Sequence, residues 1–181
     1  MTTLILYYKQ NPDEPSRTLR LRAAADFTGD PVENFTQAEE IHGKPYFPSH
    51  PHVHFSVSHT GKLWICAFSS AAVGCDVQEY LPNDTTERWK RLAKRWFSEG
   101  ERHYLDEHDC EPTEFCRIWA RKEAYVKFTG DGIGEGNFPS FDVTQPIPGC
   151  VMQDIVLPYP ENHAAALVCA EEFVPELRKL P

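Results

Sequence analysis

Three short β-prone runs, HVHFSVSHT, GKLWICAFSS and AAVGCDVQE, follow one another with only turn residues between them, and helical text then runs from about Thr85 to Gly130. Strand-like text returns at FPSFDV, VMQDIVL and HAAALVCAEE. A chain with this order must pack helices on sheets. The short connection from Ser69 to Ala72 predicts an antiparallel hairpin of the second and third runs. In VGCDVQ the two-residue period puts Gly74, Asp76 and Gln78 on one face and Val73, Cys75 and Val77 on the other.

The opening MTTLILYYKQ reads as a strand over residues 3–8. A turn at NPDEP leads into a helix from Ser16 to Phe27, capped by Ser16, with Leu19 and Ala23 on one face. Periodicity is weak from Phe27 to Pro51, where a short helix or turn is expected near Thr36 to His42 and a loop through GKPYFPSHP. In the middle portion TTERWKRLAKRWF is one helix, and Ser98 with Glu101 forms a capping-box signature for the next. A last helix follows Thr113 and ends at Gly130. The tail after Glu172 is expected to be surface material.

Each half thus reads as an opening segment, helix, loop and paired strands, which predicts an α/β (α+β) protein of two similar halves. The expected division is 1–83 and 84–181, with the crossing at Pro82 to Thr86. A chain of 181 residues is long enough for two small halves sharing a core.

Charge narrows the functions. A formal net charge of -9 argues against general nucleic-acid binding, which needs a basic face, while a local basic pocket for a small anion remains open. No apolar run is long enough to span a bilayer, and the opening strand lacks a basic leader region, so no membrane partner and a cytoplasmic location are expected. The six cysteines form no CxxC pair and are expected to be reduced and buried. His52 and His54 share a strand face but lack a third soft ligand for zinc, and no phosphate-binding lysine loop, dinucleotide fingerprint, HExxH or GxSxG is present.

Three constellations carry chemical potential. Glu123 and Lys127 stand one helical turn apart in WARKEAYVKFTG, a spacing that suits a stabilising surface pair or, facing a cleft, metal and proton chemistry. Asp76 on its strand can be a turn residue or half of an oxygen-rich Mg²⁺ site, and Gly74 beside it leaves space for a bulky ligand. Ser58 and His59 stand where a strand enters a turn, a simple surface feature or a phosphate contact.

HGKPYF, FSVSHTGKLWICAF, VGCDVQ and WARKEAYVKFTGDG, in that order, resemble the 4′-phosphopantetheinyl transferases of the surfactin-synthetase-activating type, from about Arg17 to Ala170. The resemblance implies an intramolecular pseudo-dimer with the active site between its halves, acting as a monomer. It implies Mg²⁺ and coenzyme A, transfer of 4′-phosphopantetheine to a serine of an apo acyl or peptidyl carrier protein, and release of adenosine 3′,5′-bisphosphate. By the same resemblance Asp76 and Glu123 are metal ligands, and Asp76, Glu123 and Lys127 form the catalytic set. Lys122, Lys127, Ser58 and His59 lie toward coenzyme A, Lys44 and Pro45 touch its nucleotide, and Arg17 contacts a phosphate.

Two departures stand out. Gln78 replaces the second carboxylate of the family's GxDxE signature, leaving a neutral carbonyl oxygen or a hold on a metal-bound water and a weaker intrinsic metal site. The chain begins almost at its first strand, so coenzyme A is expected to bind more weakly than in longer relatives or to use Arg17, Arg20 and Lys44. Together these leave open a carrier-binding or coenzyme-A-binding module without efficient catalysis.

Overall fold

Strand β1, Thr2–Gln10, is paired on both edges: antiparallel to β5, Leu63–Ser69, and parallel to β9, Phe173–Lys179. The computed structural model describes residues 2–41, 43–81, 84–134, 136–159 and 162–181. The crossing expected at Pro82 to Thr86 therefore begins on residues 82 and 83, outside the described residues. With β4, His54–His59, the first sheet runs β4-β5-β1-β9. A second sheet runs β6-β8-β7, built from β6, Val73–Glu79, β7, Val151–Ile155, and β8, His163–Cys169. Both of its ladders are antiparallel.

The hairpin expected of β5 and β6 does not form. Both edges of β5 are already taken by β4 and β1, so β6 turns away and pairs with β8, from Val73↔Cys169 to Glu79↔His163. The tail expected at the surface is β9. Phe173 and Leu180 are buried, and Pro175, which has no N–H to donate, fits an edge strand. Each sheet therefore takes one strand from the other part of the chain.

Helix α1, Ser16–Thr28, starts after Pro15 rather than being capped by Ser16, because the ring fixes φ at -58° just before the first turn. The Ser16 hydroxyl instead accepts from Trp64 Nε1 at 2.9 Å. Between residues 27 and 51 the helical turn lies earlier than expected, at Val32–Asn34. Beyond it β2, Ala38–Glu39, and β3, Pro45–Tyr46, pair as a small hairpin where a turn or loop was expected. FPSFDV also differs from its strand reading: Phe138–Ser140 is a single 3₁₀ turn with Pro inside it.

The middle portion is helical as read. Helix α2, Thr86–Trp96, is capped by Thr85, and α3, Glu99–Glu107, carries the full Ser98–Glu101 capping box. Helix α4, Pro112–Thr129, ends at Gly130 with φ 82°. Thr113 lies inside α4, because Pro112 occupies the first position, where its missing N–H costs nothing.

Alternation decides the layers. Leu4, Leu6 and Ile65 of the first sheet pack on Val73, Cys75, Val77 and Leu167 of the second, so the sheets share one core. Helix α1 covers the outer face of the first sheet through Leu19 and Ala23, and α4 covers the second through Ala120 and Ala124. The result is a pseudo-dimeric α/β fold with two sheet-and-helix modules. All six cysteines are free, and five are buried. Among the described residues no helix is long and apolar enough to cross a membrane.

Gly74 sets how closely α4 approaches. A Cβ there would stand 2.0 Å from the Ala124 carbonyl oxygen and 2.6 Å from the Phe128 nitrogen, so α4 itself fills the space that a ligand was expected to use. Gly74→Ala is expected to lower stability by at least about 1–3 kcal/mol, the range for overpacking a closed core. Urea unfolding with an unchanged midpoint would contradict this packing.

Candidate active site

Where the two modules meet, β4 and β6 run side by side without a ladder, and serine hydroxyls take its place. Ser56 Oγ accepts from the Cys75 nitrogen at 3.0 Å, and Ser58 Oγ accepts from the Val77 nitrogen at 3.4 Å. Ser58 in turn donates to Asp76 Oδ1 at 2.6 Å. A buried aspartate is thereby fixed at the seam.

Asp76 is 1% exposed and fully engaged. Besides Ser58, its Oδ1 accepts from Lys127 Nζ at 2.6 Å, and its Oδ2 accepts from Gln78 Nε2 at 2.6 Å. From α4, Glu123 Oε2 lies 3.7 Å from the same ammonium, while its Oε1 accepts from Trp119 Nε1 at 2.6 Å. Asp76, Gln78, Glu123 and Lys127 are therefore brought together. Trp119 joins them unforeseen, although its i,i+4 relation to Glu123 was visible in the sequence.

Burial, and then the charge of Asp76, push the Glu123 carboxyl up to about 7, against the opposing pull of Lys127 and Trp119. For Lys127, burial acts downward, but Asp76, Cys75 and Glu123 outweigh it and its pKa is raised. Two carboxylates thus share one ammonium, and the cluster takes up a proton near neutrality. Oxygen donors with a deficit of positive charge fit a hard divalent cation, which would replace that proton. Among the described residues no group of three or more His, Cys, Asp or Glu forms a cage, so a cation here would need ligand oxygens from elsewhere.

The raised Glu123 pKa has a direct consequence for stability. Between its unfolded value near 4.5 and its folded value of about 7, the folded state holds more protons, so stability falls as pH rises through that window. The loss is on the order of 3 kcal/mol by linkage. In metal-free protein the melting temperature should drop from pH 5 to pH 8, and Glu123→Gln should flatten the drop. Parallel profiles for the two proteins would contradict the assignment.

Glu123 and Lys127 stand between two cavities. One, of about 470 Å³, is lined by Arg20, Lys44, Pro45, Val57 and the pair itself. The other, of about 530 Å³, is lined by Ser16, Ser58, His59, Asp76, Gln78 and the same pair. Lys44 donates to the Phe128 carbonyl at 3.2 Å, tying the 43–46 turn to the end of α4, and burial lowers its pKa against the pull of Glu40.

Arg17 and Lys122 do not join the cluster. Ser16, Leu19, Arg20 and Ala23 share one side of α1, whereas Arg17 points into water. Arg20 is the arginine on the cavity wall. It bonds Gln37 at 3.3 Å through one terminal nitrogen, while its Nε has no partner among the described residues. Lys122 is 0% exposed, with Nζ at 2.8 Å from both oxygens of Glu101 and 2.8 Å from the Phe141 carbonyl. One residue along a helix turns the side chain by about 100°. Glu123 therefore faces the seam while Lys122 faces α3.

Comparison with known proteins gives this geometry a family. The chain is 33% identical over 117 residues, 64% of its own length and 50% of the relative's, to a 4'-phosphopantetheinyl transferase of Bacillus subtilis. It is 36% identical over 108 residues, 59% of the chain and 44% of the relative, to 4'-phosphopantetheinyl transferase psf-1 of Bacillus pumilus. With 4'-phosphopantetheinyl transferase AcpT of Escherichia coli (strain K12) it shares 35% over 127 residues, 67% of the chain and 63% of the relative. The chain spans about half the length of the curated relatives it matches first. Residues 72–167, which carry Asp76, Glu123 and Lys127, match the ACPS family, and the chain belongs to the 4'-phosphopantetheinyl transferase superfamily.

Proposed function

We propose that the protein transfers 4′-phosphopantetheine from coenzyme A to a serine hydroxyl of an apo acyl or peptidyl carrier protein, in a Mg²⁺-dependent reaction that releases adenosine 3′,5′-bisphosphate. The observation that carries this reading is the meeting of Asp76, Glu123 and Lys127 on one ammonium between two cavities. Relatives of both Sfp and AcpT kinds match the chain, so the surfactin-synthetase-activating type is proposed on the four sequence motifs. The same reading takes the reaction to lie between halves 1–83 and 84–181 of a cytoplasmic monomer.

The serine oxygen bonds to the phosphorus nearest the pantetheine. The bond from that phosphorus to the bridging oxygen breaks, and adenosine bisphosphate leaves with the electron pair. Glu123, with its pKa near neutrality, takes the serine proton directly or through a water. Lys127 is placed to stabilise the transferred phosphoryl oxygens or protonate the leaving phosphate. Ser58 and Gln78 hold Asp76, and Trp119 holds Glu123. A Mg²⁺ ion would be held by Asp76 and Glu123 and would neutralise the pyrophosphate, while Gln78, expected as a third metal ligand, instead turns its amide nitrogen to Asp76. Arg20, Lys44 and Pro45 supply a basic cavity wall for the nucleotide, with His59 on the other side of the pair.

Intact mass of a panel of apo acyl and peptidyl carriers, incubated with coenzyme A and Mg²⁺, tests the reading. One carrier or more should gain one phosphopantetheine on its serine. No gain on any carrier would reject transfer.

A further inference from the structure

The ammonium of the seam cluster stands between its two acids. Lys127 Nζ is 2.6 Å from Asp76 Oδ1 and 3.7 Å from Glu123 Oε2, so a cation already bridges the pair that a divalent ion would share. Asp76 has little else to offer: Ser58 donates to the same Oδ1, Gln78 donates to Oδ2, and the residue is 1% exposed. An ion on Oδ1, at the roughly 2.1 Å that magnesium requires, would meet a like charge within about 5 Å in a buried site. One of the two cations has to give way.

Lys127 can give way where the other lysine of α4 cannot. Lys122 is 0% exposed and holds three acceptor oxygens at 2.8 Å. Lys127 makes one hydrogen bond among the described residues, its side chain is 30% exposed, and it lines both cavities. Its flexible stem can therefore carry the ammonium into open space on either side. Gln78 supports the same metal-free state. A carboxylate there, as the GxDxE pattern has, would add a third negative charge around one ammonium, whereas the amide donates to Asp76 and adds none.

We propose that Lys127 is the resident cation of the metal-free site: its ammonium occupies Asp76 until a divalent ion enters, and the ion's arrival drives it off Asp76. This rests on the proposed divalent site at Asp76 and Glu123. Metal entry and lysine release are then one exchange of charge, and the freed ammonium lies beside the cavities where the transferred phosphoryl group is read to bind. Without metal the same lysine is held away from that task.

The test uses Mn²⁺ and the full chain without coenzyme A or carrier. Mn²⁺ affinity is measured by electron paramagnetic resonance for wild type, Lys127→Met and Asp76→Ala, and the acetylation of Lys127 by acetic anhydride is followed by peptide mass in wild type with and without saturating Mn²⁺. Lys127→Met should bind Mn²⁺ about 10-fold tighter or more, because the competing charge is gone, and Asp76→Ala should lose the site. Acetylation of Lys127 should rise several-fold with Mn²⁺, while that of the exposed Lys179 stays constant. The acetylation measurement needs no variant, so it holds even where Lys127→Met fails to fold. Equal Mn²⁺ affinity in wild type and Lys127→Met, undiminished binding in Asp76→Ala, or unchanged Lys127 acetylation at saturation would each overturn the exchange. The two readings fail separately. Exchange without carrier modification would keep the resident lysine and remove the reaction, whereas carrier modification with an immobile Lys127 would do the reverse.

Discussion

Asp76→Ala and Glu123→Gln should each lower the rate of carrier modification by roughly 10²–10³-fold, the scale on which one preorganised charged contact acts. In Asp76→Ala the Ser58 hydroxyl and the Gln78 amide lose their acceptor, and Lys127 loses its 2.6 Å partner. The ammonium is then free to move toward Glu123, and a divalent cation of the proposed site would lose one of its two carboxylates. Glu123→Gln is the milder change in shape. It keeps an oxygen for the Trp119 indole but can neither take the serine proton nor offer a charged ligand. Mass gained by the carrier is the readout, with circular dichroism to show that each variant remains folded. Wild-type turnover in both would remove the site assignment.

Lys122→Met should cost about 3–5 kcal/mol of stability, the largest single effect expected in the chain, because it leaves the Glu101 carboxylate charged and buried. Both residues are 0% exposed, and Glu101 also accepts from the backbone nitrogens of Ser98 and Val143. The pair thereby ties α3, α4 and the 141–143 loop together. Adding Glu101→Gln removes the stranded charge and keeps one of the two acceptor oxygens, so the double variant should recover part of the loss. Urea unfolding measures both. The KM for coenzyme A separates this role from the cofactor contact that the resemblance implied, and should stay near wild type wherever Lys122→Met is folded. An unchanged midpoint with a raised KM would return Lys122 to the substrate.

The features legible in the sequence are those set by neighbours along the chain. The Ser98–Glu101 box, the Gly130 stop, the alternation that turns Asp76 away from Val77 and the one-turn spacing of Glu123 and Lys127 are all local. Strand pairing is not. That β5 prefers β4 and β1 to β6 depends on strands far away in the sequence, and β9 is recruited by β1 from the opposite end. Phe173 and Leu180 were the local signs of that recruitment, partly hidden by Pro175.

The site divides along the same line. Motifs identified Asp76, Glu123 and Lys127, and the fold brings them together. Helix geometry decides the rest: residues adjacent in a motif face different neighbours, so Lys122 goes to Glu101, and of Arg17 and Arg20, both expected near coenzyme A, Arg20 lines the cavity. Ser58 reaches Asp76 only because β4 and β6 meet across two sheets.

Mass gained by one apo carrier under wild type, Asp76→Ala, Glu123→Gln and the double variant tests most directly whether the two carboxylates work as one unit. Groups that act together lose their function together, so the double variant should be no slower than the slower single variant. Losses that multiply across the two substitutions would show two independent contributions and contradict a shared site.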